Sequence, residues 1–353
     1  VVVNAKDTSW LTLGAGLNFD YNNYGSPLTS QNRYGASLNL VDHKFGTELF
    51  LRGVIGDNVE DSALFLGTYS IPVLKYGTTI ELGYLRGNYL VGQNLADLGF
   101  DGDTAIFGGK IVHPVIAKKN KSFKFSLGYD HKDSKTKLQG EVSNIDELDV
   151  AYFNIDYEGL DRFLDKNIFN FSANFGKLDL FAAKPPTRQN PSEHYERFTL
   201  SALRIQKLYG YTNLILRGVG QATNDRMVAI EAFVIGGYGT VRGYEPATYL
   251  GDSGYTLSAE LNLAPPLLAE KNVFNQKVGQ MVQLAAWFDY GQVFINDPIP
   301  GEPSENYLDG WGFGLRLFYK DRVTFKYDYA IPIQRLADQP SAINYFLISV
   351  KAF

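Results

Sequence analysis

The stretch SFKFSLGYD, Ser122 to Asp130, carries the pattern that governs the whole chain. Phe123, Phe125, Leu127 and Tyr129 alternate with Ser122, Lys124, Ser126, Gly128 and Asp130. Side chains of a β-strand point alternately to opposite faces, so this segment reads as a strand with one apolar and one polar face. Arg322–Tyr329 (RVTFKYDY) repeats it, with Val323, Phe325, Tyr327 and Tyr329 set against Arg322, Thr324, Lys326 and Asp328. In Arg33–Asp42 the apolar row is Tyr34, Ala36, Leu38 and Leu40; in Gly46–Ile55 it is Leu49, Leu51 and Ile55, against Glu48 and Arg52. A soluble sandwich would alternate in the same way with its apolar face inward. Two features favour the membrane instead. The segments run to about ten residues, the length of a tilted transmembrane strand, and Tyr and Phe gather toward their ends as aromatic girdles do.

The composition agrees. The 353 residues include 23 Tyr, 24 Phe and 35 Gly but only 2 Met and no Cys, and the mean hydropathy is −0.16. A chain so rich in aromatics that is still polar on average hides its apolar residues by alternation. No run of about eighteen apolar residues exists, so no transmembrane helix is expected. The net charge of −5 argues against a nucleic-acid binder, which carries a basic surplus. Val1-Val2-Val3-Asn4 lacks the features of a signal peptide, so a secreted protein would be represented here by a processed chain or a fragment.

Strands are expected at 9–20, 33–42, 46–56, 61–71, 76–90, 103–115, 121–132, 145–158, 166–176, 195–208, 211–221, 254–263, 281–294, 308–319, 322–332 and 343–353. These make an all-β, transmembrane antiparallel barrel of about sixteen strands in one domain, 1–353. The connections tend to alternate. Asp42–Phe45, Ile116–Asn120, Lys207–Gly210 and Lys320–Asp321 are short; Tyr21–Asn32, Val91–Gly102, Lys177–His194, Gln221–Ser253 and Asn296–Tyr307 are long. That is the pattern of periplasmic turns and extracellular loops. The long connection after Leu263 is an exception.

The loop 222–253 is too apolar for disorder. It contains Met227, Val228, Ile230, Phe233, Val234, Ile235 and Val241, and its middle reads IGGYGTVRGYEP from Ile235 to Pro246. A barrel this wide is a water channel unless something fills it, so the loop is expected to fold back into the lumen as a lid. Arg242 would sit near its tip. Two carboxylates are candidates to receive it. Asp289 shares the polar face of its strand with Gln283, Trp287 and Gly291, opposite Val282, Leu284, Ala286, Phe288, Tyr290 and Phe294. Glu260 shares its face with Thr256, Ser258 and Asn262. The plainer reading, a solvated loop arginine and two acids lining a wet lumen, stands beside this one.

Four motifs carry a family resemblance. Val241-Arg242-Gly243-Tyr244 resembles the VRGY/F motif of the outer-membrane insertase and transporter superfamily that includes BamA. Trp287-Phe288-Asp289-Tyr290-Gly291 resembles its F-x-D-x-G strand, with Trp in the first position. Gly312-Phe313-Gly314-Leu315-Arg316 resembles its G-x-G-L-R strand, and Ser258-Ala259-Glu260-Leu261 its S-A-E-L strand. Asn22-Asn23-Tyr24-Gly25, Arg33-Tyr34-Gly35, Tyr69–Val73 and Gly77–Thr79 look like the two-partner-secretion transporter branch (TpsB), which includes haemagglutinin and haemolysin transporters. The resemblance implies a sixteen-stranded barrel in the bacterial outer membrane, a lid loop held by an Arg–Asp contact, and export of a large partner exoprotein (TpsA-like). It implies no cofactor, nucleotide or metal. The other expected partners are outer-membrane lipid and lipopolysaccharide, with no nucleic acid and the barrel acting as a monomer.

Two departures from the family pattern matter. Nothing before Thr8 could form a plug helix or periplasmic POTRA domains, which are therefore expected to be absent from this chain. Phe346, Ile348, Val350 and Ala352 form an apolar row one residue out of register with Phe353, which a bulge in the last strand would reconcile.

No catalytic or metal-binding residues are expected. His43, His113, His131 and His194 are scattered without ligand spacing, and neither a G-x-S-x-G elbow nor a phosphate loop is present. Neighbouring strands can still assemble Ser, His and Asp without a motif. The alternatives to export are therefore a BamA-like insertase, or a passive pore or barrel anchor of a surface enzyme.

Overall fold

The computed structural model describes residues 13–58, 62–74, 76–90, 100–337 and 339–352. Its strands are β1 Leu13–Asn22, β2 Arg33–Asp42, β3 Thr47–Ile55, β4 Ser62–Pro72, β5 Thr79–Leu90, β6 Phe100–Lys118, β7 Lys121–Leu138, β8 Glu141–Leu160, β9 Lys166–Leu178, β10 His194–Lys207, β11 Asn213–Ala222, β12 Phe233–Ile235, β13 Tyr249–Gly251, β14 Ser253–Leu263, β15 Asn272–Val273, β16 Gln276–Lys277, β17 Val282–Phe294, β18 Glu305–Tyr319, β19 Val323–Pro332 and β20 Ile343–Lys351. Among the described residues, sixteen of these close into one barrel in the order β1 to β11, β14, β17, β18, β19, β20, and back to β1. Every neighbouring pair is antiparallel. Closure leaves no open sheet edge, as a hydrocarbon environment requires.

The burial pattern separates a membrane barrel from a soluble sandwich. On β17, Leu284 and Phe288 are about half exposed, at 54% and 46%, whereas Trp287 and Asp289 are 4% and 1% exposed. Phe107, Ile111, Leu127, Phe169, Leu200 and Leu257 likewise point outward. A soluble fold would bury that apolar row; here it faces out and the charged residues face in.

The hairpin β7–β8 is much longer than the sequence indicates. The seventh strand was expected to stop at 132 and the eighth to start at 145; instead the ladder continues to Leu138 and resumes at Glu141. Lys132–Leu138 has no apolar alternation, yet polar pairing sustains it: Lys135 meets Asp133, Lys137 meets Asp101, and Thr104 bonds Ser134. Gln139 and Gly140, at φ 53° and 82°, make the tight two-residue turn between them. The twenty residues of β8 are about twice what a tilted strand needs to cross the membrane. The hairpin therefore stands beyond the apolar band.

Three smaller differences follow. The sixth strand runs on to Lys118 and not 115. The long connection after β14 is folded rather than slack, holding the β15–β16 hairpin with Phe274 and Asn275 at positive φ, then a helical turn, Val278–Met281. Among the described residues no bulge interrupts the last strand. β20 pairs in unbroken register with β19 from Ile343 to Val350 and with β1 from Leu347 to Lys351, while Phe353 lies outside the described residues, as do the start of the first expected strand and 91–99.

Among the described residues the closure is the thinnest joint of the ring. β1 and β20 share five register pairs, Asn18 with Lys351 through Asn22 with Leu347, against ten between β1 and β2.

Candidate functional site

The connection between β11 and β14, residues 223–252, lies against the inner face of the barrel. It is one residue shorter at each end than expected because Ala222 and Ser253 belong to the strands. A 3-10 turn, Ala229–Glu231, precedes β12, and β12 pairs with β13 so that Phe233 faces Gly251 and Ile235 faces Tyr249. The loop is thus a small hairpin with a tip at 236–248. Its apolar side packs Ile235, Val241 and Tyr244, all 0% exposed, against Val293 of β17 and Leu308 of β18.

Arg242 leaves this tip toward the wall. Its Nε donates to Asp289 Oδ2 at 2.7 Å and its Nη2 to Asp289 Oδ1 at 2.9 Å. The Arg242 backbone N–H also donates to Asp289 Oδ2 at 3.2 Å. Nη1 donates to Glu260 Oε2 at 2.9 Å. The guanidinium lies 3.7 Å from the centre of the Trp287 ring. Two fork nitrogens on one carboxylate and a flat aromatic below are what the planar guanidinium suits best. Ser258 Oγ donates to Asp289 Oδ1 at 2.6 Å.

The network continues past the residues singled out in the sequence. Arg316 Nη2 donates to Glu260 Oε1 at 3.1 Å and to Asp328 Oδ1 at 2.7 Å, and Trp287 Nε1 donates to Asp328 Oδ1 at 3.0 Å. Two buried arginines thus share three carboxylates, and Glu260 bridges them. Removing one partner from such a buried pair costs about 3–5 kcal/mol, because a charge is left uncompensated.

The motif glycines make room for it. Gly243 has φ +99°, and a Cβ there would meet Pro332 N at 3.0 Å. At Gly291 a Cβ would lie 2.8 Å from Val241, at Gly312 2.5 Å from the Trp287 ring, and at Gly314 2.6 Å from both Arg316 and Asp328. The Tyr244 hydroxyl lies 2.8 Å from the carbonyls of both Asp309 and Gln334 and shares its proton between them. Tyr345 Oη donates to the Tyr244 carbonyl at 2.9 Å.

The structure also assembles groups that sequence reasoning missed. Asp328 was visible only as one more polar-row residue; its role depends on strand register. Glu231, in the first half of the loop, is 0% exposed and pairs with Lys132 of β7 at 2.5 Å and Arg197 of β10 at 2.9 Å. Tyr238 stacks on Tyr24 at 3.7 Å between ring centres and meets Tyr345 edge-on at 5.4 Å. It thereby touches residues on both sides of the β1–β20 closure. Asn23 and Tyr24 of the N-terminal motif sit at that same closure. Among the described residues no group of three His, Cys, Asp or Glu could hold a metal ion.

A closed sixteen-stranded barrel with lipid-facing apolar rows and a charged, loop-filled interior defines an outer-membrane β-barrel of the transporter and insertase type. A family profile described as haemolysin secretion/activation protein ShlB/FhaC/HecB matches residues 1–317, and the chain belongs to that family. Among solved structures, CdiB from Escherichia coli is similar with a TM-score of 0.77 at 15% identity, over 96% of this chain and 62% of that one. CdiB from Acinetobacter baumannii gives 0.71 at 16%, over 96% and 60%. BamA from Haemophilus ducreyi lacking POTRA domains 1–3 gives 0.68 at 17%, over 96% and 70%. The chain spans about three fifths of the two CdiB chains. Comparison with curated protein sequences finds no match.

Proposed function

We propose that this protein is the translocating pore of a two-partner-secretion system, carrying a large exoprotein from the periplasm to the cell surface, with residues 223–252 as its lid. The family description names secretion and activation of haemolysins, and the observation that carries the lid reading is the Arg242–Asp289–Glu260 clamp inside the barrel. At rest the clamp holds the loop across the lumen. An unfolded exoprotein enters from the periplasmic side, the loop shifts, and the chain passes between loop and wall. No bond in the cargo is made or broken, so no enzyme chemistry and no cofactor are involved; folding of the cargo outside supplies the driving force. The barrel works as a monomer embedded in lipid and lipopolysaccharide.

The test is co-expression with the partner exoprotein and measurement of exoprotein in the medium. Arg242→Ala lowers export or the heat stability of the barrel. Unchanged export together with unchanged heat stability rules the clamp out. A second reading, insertion of outer-membrane proteins through the barrel wall, draws support from the five-pair closure of β1 on β20. Locking that closure with an engineered disulfide would abolish insertion and leave export intact.

A further inference from the structure

Beneath the loop tip the lumen holds a cavity of about 140 Å³, room for several waters or a small anion. Four cations line it: Arg217 of β11, Arg242 of the loop, Arg316 of β18 and Lys326 of β19. Two acids line it, Glu260 and Asp289. Both acids are already taken. Asp289 receives Arg242 and Ser258, and Glu260 is divided between Arg242 and Arg316. Asp328, just behind, is held by Arg316 and Trp287. Among the described residues, neither Arg217 nor Lys326 has a hydrogen-bond or ion-pair partner. They stand four strands apart around the ring and still reach the same cavity.

Two like charges directed at one partly enclosed space repel each other, and an anion between them relieves that repulsion. A guanidinium fork and an ammonium lining one space fit the oxygens of a carboxylate or phosphate group better than a spherical halide.

We propose that this cavity is a binding site for one small oxyanion, a carboxylate or phosphate group, held by Arg217 and Lys326. The site exists whether or not the barrel exports protein. A free inorganic ion and an acidic side chain of a polypeptide in the lumen present the same chemistry to it.

The experiment is isothermal titration of the purified protein in detergent with inorganic phosphate, at constant ionic strength maintained with chloride. Saturable binding is expected, and Arg217→Gln/Lys326→Gln weakens it by roughly tenfold or more, a factor that corresponds to about 1.4 kcal/mol. The heat-modifiable migration of the double variant checks that its barrel is folded. A second variant, Lys326→Arg, keeps the charge and retains binding. Displacement of phosphate by oligo-glutamate assigns the site to polypeptide carboxylates, and phosphate binding without displacement assigns it to a free ion. Absence of saturable binding to the wild type, or equal binding by the folded double variant, overturns the proposal.

Discussion

Arg242 and Trp287 stack with the guanidinium 3.7 Å from the ring centre, while Asp289, two residues along on the same face of β17, grips the same guanidinium from the side. One strand therefore supplies both the floor and the counter-charge for one loop residue. The pairing suits a Trp at this position: its ring lies against the guanidinium, and its Nε1 adds a hydrogen bond to Asp328. Arg242→Ala strands the Asp289 charge and should lower barrel stability by about 3–5 kcal/mol. Adding Asp289→Asn removes the stranded charge and should recover part of that loss. Urea unfolding of the two variants decides it; equal stabilities would mean that Asp289 is not charge-coupled to Arg242. Arg242→Lys keeps the charge but loses the fork and most of the stack, and should fall between wild type and Ala.

Glu231 ties the root of the loop to the wall as Arg242 ties its tip. It is fully buried between Lys132 and Arg197, and Arg197 also donates to the Glu231 carbonyl at 3.3 Å. Glu231→Gln leaves two cations facing a neutral amide in a buried place and should cost about 3–5 kcal/mol by the same reasoning. Its effect should add to that of Arg242→Ala, since the two clusters share no residue and distant sites are additive to within about 0.5 kcal/mol. Strong non-additivity in the double variant would show that loop root and tip move as one body.

The barrel was legible in the sequence because a lipid-facing strand writes its apolar row in plain alternation. Leu257, Ala259 and Leu261 fix which way Glu260 points, and Phe288 and Tyr290 do the same for Asp289. Alternation states which face a residue occupies but not its level along the barrel axis. Asp328 and Lys326 were thus both readable as interior residues, but nothing in the sequence indicated that one would hold Arg316 and that the other would have no hydrogen-bond or ion-pair partner among the described residues. Lys132 and Arg197 were obscure for the same reason: each lies more than thirty positions from Glu231. The long β7–β8 hairpin was missed because beyond the membrane both faces are wet, and the alternation that marks a strand has no cause there.

Glu302 links the two long loops after β9 and β17. Arg188 Nη1 donates to its Oε1 at 2.8 Å, and the Ile299 backbone N–H donates to its Oε2 at 3.0 Å. The Arg188 hydrogen bond holds the Glu302 carboxyl below its usual value of 4.5 against a smaller opposing effect of burial. A carboxyl lowered on folding contributes stability above its unfolded pKa and loses it as pH falls through the folded one. The two loops should therefore resist protease on intact cells at neutral pH and lose that protection only as pH falls below 4.5. Glu302→Gln should be cut at the same rate at every pH. Loosening of the wild type near neutrality would contradict this assignment.

Asn23 lengthens the barrel closure with its side chain. Its Nδ2 donates to the Asn344 carbonyl at 2.7 Å, and the Phe346 N–H donates to its Oδ1 at 2.8 Å. The carboxamide thus presents the donor and acceptor that a backbone peptide would, adding a rung to a joint of five pairs. Asn23→Ala leaves a part-buried N–H and C=O of β20 without these partners, at about 1 kcal/mol. The next residue, Tyr24, stacks on Tyr238 of the loop, so the closure and the loop tip rest on consecutive positions. If that contact couples them, Asn23→Ala and Tyr238→Ala should be non-additive by more than about 0.5 kcal/mol in urea unfolding. Additive costs would mean that the loop can leave the lumen without loosening the barrel where β1 meets β20. Coupled costs would mean that displacing the loop also weakens the joint with the fewest pairs among the described residues.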